Sequence, residues 1–306
     1  MESTQKTYNV IIWGNSVDYD IYAKTFCHEV LKGNMKIQAI VFNDEESMQY
    51  LEGIPLIKIE EILQFSFDYL IDMNEKEHDI ALHILELLRI PLDKVIPARV
   101  FLLPTFDLKR WVQIQKSEIS IISSNCWGGL TYHSLGLPFL SPFINLFMKE
   151  NDFLTLLENF ETYMQYPLRF VEERRANLEK NYPVMALGDV LLHFNHYEDA
   201  KSAVAIWEKR KKRLHYDNLF VEMLIETEEG LERFRNLSYP HKIGLTMLPC
   251  EEKDVISFGK YPYYVERYLK EAGQLVLMLA RWQTSECKVY DILKLLNHEE
   301  DYRRMW

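Results

Sequence analysis

The segment "YNVIIWGNSVDYDIYAKTFCHEVLKGNMKIQAIVFND", residues 8–44, sets two short apolar runs around one helical stretch. Tyr8 to Trp13 is nearly continuous in apolar residues, the pattern of a strand covered on both faces. Gly14-Asn15-Ser16 closes it. From about Val17 to Leu31 apolar residues such as Ile21, Phe26 and Val30 recur along a helical stretch, and Gly33-Asn34 ends it. Lys36 to Phe42 is a second strand, ending on Asn43-Asp44. A strand, a helix and a strand in this order predict a parallel pair joined by a crossover helix.

The rhythm continues outward. A short strand at Ile54–Ile57, a brief helix through Glu60–Gln64 and a strand at Tyr69–Asp72 follow. Glu77–Leu88 then carries Ile80, Ile84, Leu87 and Leu88 at helical spacing. The fold class expected is α/β, with a Rossmann-like parallel sheet over residues 1–110. Proline-flanked "LLPTFDLKRW" breaks the alternation, so a second α/β domain is expected over residues 111–306. Its strands are predicted at Leu168–Glu172, Val184–Phe194, Leu219–Ile225 and Lys242–Met247. Its helices are predicted at Phe153–Met164, Ala200–Lys212, Glu228–Asn236, Val265–Leu279 and Val289–Leu296.

Composition bounds the function. Apolar residues make up 48% and charged residues 26% of 306, an ordinary globular mixture. The formal net charge of −11 argues against broad nucleic-acid binding, which needs a basic surface. No apolar run is long enough for a membrane span. The opening MESTQKTYNV has no basic-then-apolar leader, so a cytoplasmic setting is expected. Cys27, Cys126, Cys250 and Cys287 are scattered with no CxxC pair, which suits reduced thiols rather than a zinc ribbon.

The turn after the first strand stands where a dinucleotide fold keeps its phosphate loop. Gly14 alone matches the first glycine of G-x-G-x-x-G; Ser16 and Tyr19 replace the others. Ser16 could contact a phosphate through its hydroxyl, and Asp44 could hold a ribose. Asp18 in the first helical turn would repel a phosphate. NAD is therefore weighed against a plain capped turn, and the cofactor stays unknown.

Three stretches of the second domain carry chemistry. In "SSNCWGGLTYHSLGLPFLSPF" (123–143), a buried strand ends on Asn125, Cys126, Gly128 and Gly129. The glycines permit positive φ and backbone N–H groups aimed at a ligand, and Asn125 offers an amide for an oxyanion. Cys126 could be a nucleophile with His133 nearby, or a packed thiol. In "YPVMALGDVLLHFNHYEDA" (182–200), His193 and His196 could serve as acid–base groups, and no metal site is expected. In "IWEKRKKRLHYDNLF" (206–220), Arg210 and Arg213, with Asn218 beyond, could grip a diphosphate or an acidic sugar, or simply complement a helix C-terminus. Arg174-Arg175 reads as a solvated helix face.

Taken together these three stretches resemble a bacterial family labelled exopolysaccharide-biosynthesis proteins, over most of residues 118–250. The pattern "VIIWGNS", "IQAIVFND", "GIPLIKIEEIL", "DYLIDM" resembles Rossmann-like modules that accompany sugar-modifying enzymes, over about residues 8–97. The resemblance implies a transferase, acyl or glycosyl, acting in surface-polysaccharide synthesis. Its donor would bear a phosphate, as acyl-coenzyme A or a nucleotide sugar, and its acceptor would be a glycan. The alternative is a non-catalytic nucleotide-sugar or glycan-binding scaffold of the same pathway.

Overall fold

The computed structural model describes residues 6–44, 48–175, 181–263, 265–266 and 290–303. The chain divides into two compact units, residues 1–113 with 134–136, and residues 114–133 with 137–306. Both are α/β. Among the described residues no helix is long and apolar enough to cross a membrane.

The first unit opens with β1 (Tyr8–Gly14), α1 (Ser16–Leu31) and β2 (Met35–Phe42). A two-residue antiparallel pair, β3 (Tyr50–Leu51) and β4 (Ile54–Pro55), precedes β5 (Tyr69–Asp72), α2 (His78–Leu87) and β6 (Val95–Pro97). Helix α3 (Leu108–Ser117) follows. The sheet runs β2-β1-β5-β6, all parallel. Strand β1 is central, which is why Val10 through Trp13 are all buried. Ile11, Trp13, Val41 and Leu70 pack with Ala81, Leu85 and Ile90 in one apolar cluster.

Gly14 is needed for a close approach. A Cβ there would lie 2.6 Å from Cβ of Met73, the residue that follows β5. Gly14→Ala is therefore expected to destabilise this unit by about 1–3 kcal/mol through overpacking, read from urea denaturation. The unit also buries a carboxylate with a full set of partners. Glu29 accepts from Asn34 Nδ2 at 2.7 Å, from the Leu108 N–H at 2.9 Å and from Lys32 Nζ at 3.0 Å.

The second unit contains β7 (Ser120–Ser123), α4 (Trp127–Leu135), α5 (Glu150–Glu158) and α6 (Phe160–Tyr163). Then come β8 (Leu168–Arg175), β9 (Asn181–Leu187), β10 (Val190–His193) and α7 (Ala200–Lys211). Strands β11 (Leu219–Ile225), β12 (Lys242–Thr246) and β13 (Val255–Ser257), with α8 (Glu228–Asn236) after β11, complete the main sheet. A short helix, Ile292–Leu296, lies near the end. The main sheet runs β7-β11-β12-β13, all parallel, with β7 at the edge. Strands β8, β9 and β10 form a separate antiparallel sheet.

Several expectations change here. The single strand expected at Val184–Phe194 is a hairpin, because Gly188 takes φ +66 and turns β9 into β10. Arg174 and Arg175 lie on β8 rather than a helix, with Arg174 paired to Glu172 at 2.5 Å. The helix expected over Phe153–Met164 breaks at Asn159, whose φ of −138 and ψ of 41 are not helical. The helix expected at Val265–Leu279 falls, beyond Glu266, outside the described residues, as do Cys287 and Val289.

Candidate active site

Strand β7 ends in a turn that hands over to α4, and this turn presents Cys126. The Cys126 carbonyl accepts the first helical bond, from Leu130 N–H at 3.0 Å, so Cys126 is the N-cap residue. The Asn125 side chain stabilises the start: its Oδ1 accepts from the Trp127 N–H at 2.8 Å. The N–H groups of Gly128 and Gly129 fall in the first helical turn, where no preceding helical carbonyl exists to accept them. N–H groups of a first helical turn form the positive end of the helix dipole.

The thiol has a partner. Cys126 Sγ lies 3.5 Å from His196 Nε2. His196 is exposed on the loop between β10 and α7, a loop anchored by Tyr197, whose hydroxyl donates to Ile144 O at 2.9 Å. Burial pushes the Cys126 thiol above its ordinary range, and Glu222, when ionised, adds to that. The helix N-terminus and a proton on His196 act in the opposite direction. A thiol, an imidazole within reach and the N–H groups of a helix's first turn are the parts of nucleophilic acyl chemistry.

Glu222 lies beneath this turn. It sits on β11 in register with Ser123 of β7 and has no exposed surface. Its Oε2 is 2.5 Å from Ser123 Oγ, and its Oε1 accepts from Asn125 Nδ2 at 3.2 Å. Desolvation raises its pKa to about 7, against the lowering effect of those two hydrogen bonds. Neither Glu222 nor Ser123 is among the site residues expected from the sequence. The available signal was a lone acid inside the apolar strand "LFVEMLI".

A profile described as "Domain of unknown function (DUF1919)" matches residues 98–297. The chain belongs to the DUF1919 family. A second profile, "C2185-like, N-terminal", covers residues 6–96. A protein of Haemophilus influenzae titled "Uncharacterized protein" is 36% identical over 201 residues, spanning 63% of this chain and 92% of that protein. Cys126, His196, Ser123 and Glu222 all fall inside the DUF1919 region.

Other expected site residues of the DUF1919 region are placed differently. Gly128 and Gly129 do not take positive φ; they are helical and let α4 close on the chain beneath it. A Cβ on Gly128 would meet Ser123 Cβ at 3.0 Å, and one on Gly129 would meet Ile144 at 3.2 Å. His133 cannot serve Cys126. It is exposed near the far end of α4, and seven helical residues span about 10 Å.

His193 is also removed from the thiol's chemistry. It is 1% exposed and stacks on Phe147 with ring centroids 4.4 Å apart. Both ring nitrogens are buried without a hydrogen-bond partner, and desolvation lowers its pKa to about 4. His193 and His196 therefore do not face a common ion. Among the described residues no cluster of three or more His, Cys, Asp or Glu side chains could hold a metal.

The cationic clamp does not form beside Cys126. Arg210 donates to the Tyr197 hydroxyl at 2.9 Å and lies over the Phe139 ring, while Arg213 donates to Phe139 O at 3.4 Å. Asn218 donates to Ser117 O at 2.6 Å, at the amino end of β11. Cys126 is at the carboxyl end of β7, the edge where open α/β sheets take ligands. Arg210 in this setting steadies the His196 loop through its neighbour Tyr197.

In the region matched by the C2185-like profile, the expected phosphate seat is occupied by the chain itself. Asp44 accepts from the Ser16 N–H at 2.8 Å and from Ser16 Oγ at 2.9 Å. The Ser16 N–H holds the Asp44 carboxyl below the usual range. Gly14 serves the Met73 contact, and Asp44 accepts from the N–H of the first residue of α1.

Proposed function

We propose that the chain is an acyltransferase that works through a thioester on Cys126. The observation that carries this is the 3.5 Å contact between Cys126 Sγ and His196 Nε2 at the N-terminus of α4. His196 takes the thiol proton as sulfur attacks the acyl carbonyl of the donor. The N–H groups of Gly128 and Gly129 bind the oxyanion that develops there. As the intermediate collapses, His196 returns the proton to the leaving thiolate of the donor. In the second half an acceptor hydroxyl gives its proton to His196 and attacks the thioester. Cys126 then leaves and is reprotonated, so protons and atoms balance across the cycle.

Acyl transfer is preferred to glycosyl transfer because a thiol in contact with an imidazole suits a thioester intermediate. A surface-polysaccharide sugar as acceptor rests on the resemblance of the three stretches named above. The test is intact-mass measurement after incubation with short acyl-coenzyme A donors. The expected result is one acyl adduct that hydroxylamine removes and that peptide mapping places on Cys126. Absence of any adduct across a donor panel would sink the proposal.

A further inference from the structure

We propose that Glu222 is a positioning residue of the Cys126 site, held as a neutral carboxylic acid that fixes the 123–126 turn and keeps negative charge away from the thiol. This rests on the reading of Cys126 as the reacting group. One hydrogen atom is decisive. Ser123 Oγ lies 2.5 Å from Glu222 Oε2 and also 3.0 Å from Asn125 O. Its single hydroxyl proton can satisfy only one of these acceptors. Both contacts are satisfied together if the Glu222 carboxyl donates to Ser123 Oγ and Ser123 donates on to Asn125 O. With Glu222 ionised, the Ser123 proton turns to the carboxylate and Asn125 O is released. Asn125 is the residue whose side chain accepts the first N–H of α4, and it adjoins the thiol.

The surroundings of Glu222 point the same way. Its partners are Ser123 and Asn125, and it has no cation among the described residues. Glu29, the other buried glutamate, is supplied with Lys32 and a backbone N–H. A carboxylate buried without a cation is costly, so this strand position selects the protonated form. The facing groups are few. Ser123, Asn125 and Cys126 look on from β7 and its turn, Ser124 Oγ bonds Asn125 Nδ2 and Leu224 N–H, and the β12 register neighbour is Ile243. His196 is a further titratable group at the thiol.

The experiment is alkylation of Cys126 by iodoacetamide, followed by peptide mass mapping, in wild type and Glu222→Gln between about pH 5.5 and about pH 9. The amide keeps the shape and removes the charge. The ratio of rates, variant over wild type, is expected to be near one at the acid end. It should rise about three- to tenfold once the wild-type carboxyl ionises and its charge suppresses the thiolate. A ratio that does not change with pH, in a variant with wild-type near-ultraviolet dichroism, would overturn the proposal. If the variant does not fold, carbon-13 titration of wild-type glutamate side chains decides. One midpoint near 7 supports the inference, and its absence refutes it. The alkylation profile is independent of any acyl donor, so a shifted profile with no acyl adduct fails the transferase reading and leaves Glu222 standing. An acyl adduct with a flat ratio does the reverse.

Discussion

Cys126→Ala is expected to lower acyl transfer at least about a thousandfold, to the level supplied by binding and backbone donors alone. Loss of the sulfur removes the covalent intermediate, so no hydroxylamine-sensitive adduct should form. His196→Ala should come close to the same loss, because the two groups act as one unit; the double variant should then be little worse than either. That non-additivity separates a working pair from two neighbours in accidental contact. Stopped-flow measurement of donor thiol release would show it. A His196→Ala variant with an undiminished burst would remove the imidazole from the mechanism.

The second large effect is on stability and comes from His193. Its folded pKa is about 4, against about 6.5 in the unfolded chain. Between these values the unfolded state binds a proton that the native state refuses, so stability falls as pH falls through this window. The full loss is roughly 3 kcal/mol, a large share of a typical domain's stability. Glu222 does the opposite. Its raised pKa of about 7 makes the native state hold a proton that the unfolded chain releases above about 4.5, so stability falls as pH rises. The two slopes oppose between about pH 4.5 and about pH 6.5. His193→Phe, which keeps a ring against Phe147, should make the protein gain stability on mild acidification. Glu222→Gln should make it lose more than wild type does. Urea midpoints across that range are the measurement, and parallel curves for all three proteins would disprove the assignment.

Much of the architecture could be read from residue order. The run at Tyr8–Trp13, the helical spacing to Leu31 and the second run to Phe42 dictate a parallel pair, since a strand apolar on both faces has to be central. What escaped was tertiary. Gly188-Asp189 splits "VMALGDVLLHF" into a hairpin, although both arms read as one apolar run. The two arms give the same pattern as one strand until the turn's φ is known. At the site, Asn125 and Cys126 were legible because a strand ending on polar residues and glycines marks a presenting turn. Which histidine would reach the thiol was not. His133 is closer in sequence, but a helix carries it away, whereas His196 arrives from the far end of a separate hairpin. Glu222 belongs to the same class: its role depends on the register between β7 and β11, which no local spacing encodes.

The Asp44–Ser16 contact has a consequence for selectivity. The mouth of α1 is a ready anion seat, and the chain delivers its own carboxylate there on a tether of a few residues from β2. A free phosphate entering that mouth competes with a ligand whose local concentration is millimolar or higher by virtue of the tether. At metabolite levels below that, the tethered group holds the seat. The carboxylate at the start of α1 is thus an occupant that dilution cannot remove.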